Sequence, residues 1–160
     1  MNKHDRHALN GARWIAEASK DSTQVGCIIV GPDRELRSAG YNGIPRGVDD
    51  LPERMQRPAK YLWTSHAEEN AVAQAARVGV SLMGCKAYIT HAPCCRCARM
   101  LIQAGIKEVI VGPGTTSMPE DEFAVAQVMF SEAGVSFRVL KEESNELPNS
   151  REGIDHPAHV

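Results

Sequence analysis

The sequence predicts an α/β protein, a three-layer α/β/α sandwich built on a mixed sheet of about five strands. The first observation behind this prediction is that helical and strand-like segments alternate from about residue 65 onward, which implies right-handed crossovers and helices on both faces of a sheet. The second is an earlier pair of strand-like segments, "QVGCIIV" and "ELRSAGYN", on either side of the turn sequence "GPDR". That arrangement is typical of a β-hairpin, so we expect one antiparallel pairing beside otherwise parallel strands.

The order of elements predicted along the chain is α-β-β-α-β-α-β-α-β. The first helix is expected over residues 5–20, where Leu9, Ala12, Ile15 and Ala16 fall near one face. Gly and Pro residues separate the later elements. These are a helix over 65–78, a strand over 85–91, a helix over 93–104, a strand over 108–112, a helix over 120–133 and a strand over 135–140.

Two segments fall outside this regular pattern. Residues 43–60 are rich in Pro, Gly and charge and read as a long loop, which in compact domains is usually functional or mobile. Residues 141–160 form a polar tail whose composition is typical of a disordered segment. The folded domain is therefore expected over residues 1–140, a size that suits one hydrophobic core.

Composition excludes several classes of protein. The net charge of −2 and the pI of about 6.3 give no overall attraction to a polynucleotide. The longest apolar run, "CIIV", suits a strand and not a membrane span, and the start "MNKHDRH" lacks the layout of a secretory signal, so a cytoplasmic protein without a membrane partner is expected. Three of the five cysteines crowd into "CCRC", which in a reducing compartment favours metal binding or catalysis over disulfides.

Cys94 and Cys97 form a C-x-x-C pair just after Pro93, at the start of a predicted helix. Residues three apart on a helix share a face, so both sulfurs can reach one ion, and two thiolates are half of a zinc site. His66, at the start of another predicted helix, is the predicted third ligand. Because residues 43–60 contain neither Cys nor His, the count favours a catalytic zinc with one open position over a closed structural site.

Glu68 lies two residues after His66 and admits two interpretations. With Ser65 it spells S-x-x-E, the capping box of a helix start. As a carboxylate beside the metal, it can instead carry a proton from water to a substrate. The combined pattern H-x-E…P-C-x-x-C is the signature of zinc nucleobase deaminases, so Glu68 is the predicted catalytic proton shuttle. A redox pair remains the alternative for the C-x-x-C motif taken alone.

The remaining cysteines and one histidine near the motif receive simpler interpretations. Cys95 lies about a third of a turn from the face of the C-x-x-C pair and is predicted to be a packing residue. Cys27 and Cys85 lie in predicted strands and are expected in the core. His91 either lines the pocket or lies on the surface.

Beyond these motifs, the chain resembles the deoxycytidylate (dCMP) deaminases of the cytidine deaminase superfamily over about residues 14–140. The segments that carry the resemblance are "SKDSTQVGCIIV", "GYNGIPRG", "HAEENAV", "LIQAGIKEVI" and "EAGVSFR". It implies a cytidine-deaminase-like sandwich, a Zn²⁺ cofactor and the hydrolytic deamination of dCMP to dUMP and ammonia. It also implies a homo-oligomer, with a hexamer favoured, and control by the effectors dCTP and dTTP.

Transferred residue by residue, the family's zinc ligands fall on His66, Cys94 and Cys97, and its proton shuttle falls on Glu68. Asn42 in the "GYNG" segment resembles the residue that contacts the nucleotide sugar, and Ala67 is also predicted to bind substrate. Two glycines around Asn42 let the backbone approach a ligand closely, although a plain turn at the end of a strand is the alternative. Glu69 departs from the family, which commonly has Leu at that position.

A 5′-phosphate would need a local cluster of cations in a chain of this net charge. The candidates are Arg46 in the "GYNGIPRG" loop, Arg57 and Lys60 in the loop that follows, and Arg77 at the end of the predicted zinc helix. Simple solvation is the alternative for each loop arginine, and a subunit contact is the alternative for Arg77.

Two other functions stay open at this point. One is a deaminase of another small nucleobase, nucleoside or modified dCMP, and the other is a catalytically silent, zinc-bound nucleotide sensor. The presence of Glu68 argues against silence, because a protein that only binds has no need of a proton shuttle.

Overall fold

The computed structural model describes residues 2–140, and its elements follow the predicted order with two short additions. The helices are α1 (Lys3–Ala16), α2 (Lys60–Trp63), α3 (Ala67–Val78), α4 (Cys95–Gln103) and α5 (Glu120–Glu132). The strands are β1 (Gly26–Val30), β2 (Leu36–Tyr41), β3 (Lys86–His91), β4 (Glu108–Gly114) and β5 (Ser136–Val139). The additions are α2 and a turn of 3-10 helix over Pro52–Met55, within or at the end of the predicted long loop. The predicted polar tail, 141–160, lies outside the described residues, and the domain boundary stays a prediction.

The five strands form one mixed sheet in the order β2-β1-β3-β4-β5. β3, β4 and β5 run parallel, whereas β1 is antiparallel to both β2 and β3. The expectation of one antiparallel pairing was therefore wrong. The crossover from β2 makes β3 parallel to β2, but β1 lies between these two strands and opposes each of them.

The strands have apolar residues on both faces, and the alternation of side chains divides them between two cores. In β3, Tyr88 packs with Leu9 of α1 on one face, while Ala87 and Ile89 join the core on the other. That larger core also contains residues of α3, α4 and α5, among them Ala71, Ala75, Ala98, Leu101, Ala126 and Phe130. Helices thus cover both faces of the sheet, which confirms the three-layer sandwich.

Gly40 in β2 brings α3 close to the sheet. A Cβ atom there would lie 2.4 Å from the backbone nitrogen of Ala71 and 2.5 Å from the carbonyl oxygen of Ala67. Glycine therefore lets the first turns of α3 pack directly against the strand. The helix ends as predicted at Gly79, whose φ of 75° is left-handed.

The chain directions bring the predicted site residues to one edge of the sheet. His91 ends β3 just before Cys94, and Asn42 follows β2 directly. Asn42 is near the start of β1 because the two strands are antiparallel, with Gly26 opposite Tyr41. Between residues 2 and 140, no helix is both long enough and apolar enough to cross a membrane.

Candidate metal centre and catalytic cavity

The three predicted metal ligands meet at one point. His66 Nδ1 lies 3.6 Å from Cys94 Sγ and 3.4 Å from Cys97 Sγ, and all three atoms are within 4.8 Å of one another. A tetrahedral zinc ion with Zn–N and Zn–S bonds of about 2.1 and 2.3 Å holds such atoms about 3.6 Å apart. Within the described part of the chain, this is the one group of three or more such side chains that could hold a metal. The donor set fits a three-ligand zinc site.

Two of the ligands occupy helix starts. His66 is the N-cap of α3 and Cys94 is the N-cap of α4. The positive end of a helix dipole favours a thiolate over a thiol. Hydrogen bonds with Cys97 and His66 act in the same direction and, against the effect of burial, hold the pKa of Cys94 well below that of an ordinary thiol. The site therefore favours the thiolate form of Cys94, whereas the hydrogen bond with Cys94 and burial raise the pKa of Cys97.

Glu68 is buried beside these ligands, with 3% of its surface exposed. It lines the same cavity as His66 and Cys94 but is not in the metal-binding group. Burial raises the pKa of its carboxyl group. A raised pKa suits a group that must both accept and release a proton near neutral pH.

The capping box at this helix involves a different glutamate from the one predicted. Its N-cap is His66 and its N3 residue is Glu69, so the assignment to Ser65 and Glu68 was wrong by one position. The backbone nitrogen of His66 donates to Glu69 Oε2 at 2.7 Å. Because Glu69 closes the capping box, Glu68 is free to face the cavity.

The cavity is formed by the edge of the sheet, α2, the start of α3 and the loop after β4. Its lining includes Asp21, Thr23, Val25, Asn42, Arg57, Lys60, Tyr61, Thr64, His66, Ala67, Glu68, His91, Ala92, Cys94, Thr116, Ser117 and Met118. His91 thus lines the pocket, and Thr90 Oγ1 lies 2.8 Å from its Nδ1. No sequence pattern pointed to Thr116, whose buried Oγ1 has no hydrogen-bond partner among the described residues.

Asn42 lines the cavity with its carboxamide held in place by the backbone. Its Oδ1 accepts from the backbone nitrogen of Val25 at 2.8 Å, and its Nδ2 donates to the carbonyl oxygen of Thr23 at 2.9 Å. Ser19 Oγ donates to the carbonyl oxygen of Asn42 at 2.7 Å. These bonds fix the orientation of the side chain that the resemblance assigns to the sugar.

Lys60 has a different role from the one considered for it. Its Nζ lies 2.7 and 2.9 Å from the two carboxylate oxygens of Asp21, and both side chains are buried. The ammonium charge is therefore neutralised within the protein, and Lys60 is a poor candidate for a phosphate contact. No pattern in the sequence marked Asp21 as a cavity residue, although it belongs to the "SKD" segment that carries the resemblance.

The other predicted phosphate contacts are spread over the surface. Arg57 lines the cavity. Arg46 instead borders a groove beside Tyr41, and its guanidinium donates to Gln74 at 2.6 Å. Arg77 is exposed near the end of α3, about 15 Å along the helix from Ala67 at 1.5 Å per residue. A single chain therefore does not bring Arg46 or Arg77 to the lining of the cavity.

The three cysteines outside the metal group divide into two kinds. Cys27 and Cys85 are fully buried, which confirms them as core residues. Cys95 is only partly buried, and its Sγ lies 2.6 Å from Glu122 Oε2 on α5. The interpretation of Cys95 as a simple packing residue was therefore wrong, because its sulfur meets a carboxylate beside the cavity.

A comparison with protein families identifies the motif-bearing part of the chain. Residues 2–113 match the model described as the cytidine and deoxycytidylate deaminase zinc-binding region. The chain belongs to this family. His66, Cys94 and Cys97 could hold the zinc ion for which the family is described.

Individual relatives are consistent with that assignment. The chain is 43% identical over 139 residues to an uncharacterized deaminase in the luxG 3′ region of Aliivibrio fischeri, covering 84% of this chain and 92% of the relative. It is 40% identical over 130 residues to human deoxycytidylate deaminase, covering 77% and 71% of the two chains. A crystal structure of dCMP deaminase from cyanophage S-TIM5 in complex with dCMP and dUMP aligns with a TM-score of 0.70 at 27% identity, over 88% of this chain and 99% of that one.

Proposed function

We propose that this protein catalyses the zinc-dependent hydrolytic deamination of dCMP to dUMP and ammonia, a step of pyrimidine deoxynucleotide metabolism. The observation that carries the proposal is the buried Glu68 carboxyl group, which shares a cavity with a three-residue metal site and is absent from the ligand set. The family match and the named dCMP deaminases among the relatives support this substrate class.

His66, Cys94 and Cys97 are the residues proposed to hold the metal. Zinc with an open coordination position supplies a nucleophile near neutral pH by lowering the pKa of a bound water molecule to about 7. The family match and the three clustered donor atoms support this choice of ion.

Glu68 is the proposed proton shuttle. It accepts a proton from the attacking water and passes it to N3 of the cytosine ring. It then takes the second proton from the new hydroxyl group on C4 and delivers it to the departing amine. Oxygen adds to C4 of the ring, the C4–N bond breaks, and the amine leaves as ammonia. The raised pKa of Glu68 supports both halves of this exchange, because a carboxyl group that ionises too readily would not return the proton.

Asn42 and Ala67 are proposed to bind the substrate. The side chain of Asn42 is already oriented by backbone groups, so its position costs little to fix when a nucleotide binds. Ala67 lies in the first turn of α3, where backbone N–H groups have no partner within the helix. Backbone N–H groups of this first turn, at the wall of the cavity, suit the polar edge of a pyrimidine.

Arg57 is the proposed partner of the 5′-phosphate. Of the four cations considered from the sequence, it lines the cavity without the buried carboxylate partner that neutralises Lys60. Arg46 and Arg77 stay predictions and would need a second chain to reach the substrate.

The cytoplasmic location, the hexamer and regulation by dCTP or dTTP also stay predictions. Exposed Val78 on α3 and exposed Val125 and Val128 on α5 support a homo-oligomer, because a partner subunit would cover these apolar side chains.

Release of ammonia from a panel of cytosine nucleotides, nucleosides, free bases and purines tests the proposed function. Turnover of dCMP ahead of the other compounds is expected. Preference for a free base or a purine would contradict the substrate, and no turnover of any compound by the zinc-loaded protein would favour a silent nucleotide sensor.

A further inference from the structure

Both helices that carry the metal ligands begin at a ligand, His66 for α3 and Cys94 for α4. At most helix starts, a Ser, Thr, Asp or Asn side chain in this position accepts a hydrogen bond from the first turn. An N-cap side chain leaves further backbone N–H groups at a helix start without a partner within the helix. Glutamates outside the predicted ligand set lie near such groups at the starts of both α3 and α4.

Glu69 supplies a hydrogen-bond acceptor at the start of α3. Its Oε2 accepts the backbone N–H of His66 at 2.7 Å, a charge-assisted bond of short length. The donor belongs to the ligand itself, so the bond fixes the backbone from which the imidazole projects. A carboxylate in the first turn also interacts favourably with the helix dipole.

The other oxygen of the same carboxylate faces α4. Glu69 Oε1 lies 3.8 Å from the guanidinium of Arg96, which is located between Cys94 and Cys97. Arg96 is largely exposed, so this ion pair contributes little to stability by itself. Its consequence is geometric, because one carboxylate contacts both of the segments that carry metal ligands.

The start of α4 shows a similar arrangement with a different glutamate. Glu122, on α5, lies 3.3 Å from the backbone nitrogen of Cys95 and 2.6 Å from its sulfur. Cys94 itself makes no capping bond through its side chain. At both helix starts, a glutamate outside the predicted ligand set thus lies within hydrogen-bond distance of a backbone nitrogen at or beside a predicted ligand.

We propose that Glu69 is a positioning residue of the metal centre, which raises the affinity for zinc by fixing the backbone of His66 and takes no part in proton transfer. The inference rests on zinc binding in the proposed function and not on the identity of the nucleotide.

The zinc dissociation constants of Glu69→Leu and Glu69→Gln, measured by competition with a chelator in the absence of substrate, test this proposal. Loss of such an outer-shell partner typically weakens metal binding about 10–100-fold, and we expect this for Glu69→Leu. Glu69→Gln keeps an oxygen acceptor, so its affinity should lie closer to that of the wild type. The charge-transfer absorption of the Co²⁺-substituted protein should likewise change more in Glu69→Leu than in Glu69→Gln.

Asn2→Ala is the matched control, because Asn2 accepts the backbone N–H of Asp5 at 2.8 Å and caps α1 without contacting the metal centre. This variant should lose stability and keep the zinc affinity of the wild type. If Glu69→Leu behaved in the same way, Glu69 would be an ordinary helix cap and the proposal would be overturned. A kcat lowered by orders of magnitude in zinc-loaded Glu69→Leu would also overturn it, by giving Glu69 a part in proton transfer. Neither readout of metal affinity depends on dCMP being the substrate.

Discussion

Asp21 holds the ammonium group of Lys60 between its two carboxylate oxygens, at 2.7 and 2.9 Å, at the wall of the catalytic cavity. Asp21 Oδ1 also accepts the backbone N–H of Thr23 at 2.9 Å. The pair connects the loop after α1 to α2, and both side chains are buried. A pair of this kind is costly to break, since the remaining charge stays out of water without a partner.

Asp21→Asn should therefore destabilise the protein strongly. We expect the free energy of unfolding in urea to fall by about 3–5 kcal/mol, the usual cost of removing one partner of a buried pair. Lys20→Met is the control, because Lys20 pairs with Asp50 at the surface, where such pairs contribute about 0–1 kcal/mol. A loss near 1 kcal/mol or less for Asp21→Asn would contradict the structural role of the pair.

The buried carboxylate of Asp5 should make the stability of the protein depend on pH. Asp5 accepts from the hydroxyl of Tyr88 at 2.8 Å and from the guanidinium of Arg138 at 3.1 Å, between α1 and the sheet. Burial acts to raise the pKa of Asp5, but these two hydrogen bonds outweigh it, and the pKa lies below its ordinary value. A lowered pKa in the folded state means that the stabilisation is present above the unfolded pKa of about 3.9 and is lost as the pH falls through the folded pKa.

The expected result is that Asp5→Asn is less stable than the wild type at pH 7 and that the difference shrinks as the pH falls below about 4. Urea unfolding of the wild type and of Asp5→Asn at each pH measures this difference in the free energy of unfolding. Comparing the two proteins at equal pH removes the effect of zinc release, which they share. Asp33→Asn, in the exposed turn between β1 and β2, should show no such trend. A difference that is constant from pH 7 to pH 3 would contradict the role of Asp5.

Phosphate recognition by Arg57 predicts selectivity for the nucleotide over the nucleoside. We expect kcat/KM for dCMP to exceed that for deoxycytidine by at least ~100-fold, which corresponds to about 2.7 kcal/mol of transition-state stabilisation. Arg57→Ala should lower kcat/KM for dCMP by about tenfold or more and leave the value for deoxycytidine unchanged. Steady-state ammonia release with each substrate measures both quantities.

Arg46→Ala is the matched control for this prediction, since Arg46 lies in a different groove and contacts Gln74. It should leave both values unchanged if Arg57 is the partner of the phosphate. A loss confined to Arg46→Ala or Arg77→Ala would instead place the phosphate at a contact between subunits. Equal rates on dCMP and deoxycytidine would exclude phosphate recognition altogether.

Local signals predicted the fold because they act within a few residues. The turn "GPDR", the glycine at position 79 and the strand-like segment over residues 85–91 each specify one element or one boundary, and the structure has β1–β2, the end of α3 and β3 at those places. The second antiparallel pairing, between β1 and β3, could not be predicted from such local signals. It depends on β1 being placed between β2 and β3, which is a property of the whole sheet.

The group of side chains that could hold a metal was predictable for a similar reason, since the combination of a C-x-x-C pair with an H-x-E motif is a local pattern of residue types and spacing. The partners of charged side chains were not predictable from such local patterns. Lys60 and Asp21 are 39 positions apart, and no pattern showed that the lysine would be neutralised. The capping box was misplaced because Glu68 and Glu69 are adjacent, and one residue of shift at the helix start decides which carboxylate faces the cavity.

Replacement of Glu68 by Gln tests the central claim most directly, because the variant keeps the size of the side chain and removes its ability to carry a proton. Glu69 and not Glu68 closes the capping box, so helix α3 should be unaffected. We predict about one zinc per chain, an unchanged free energy of unfolding, and a kcat for dCMP reduced by about 10²–10⁴-fold or more. A zinc-loaded Glu68→Gln protein that deaminates dCMP at the rate of the wild type would contradict the account.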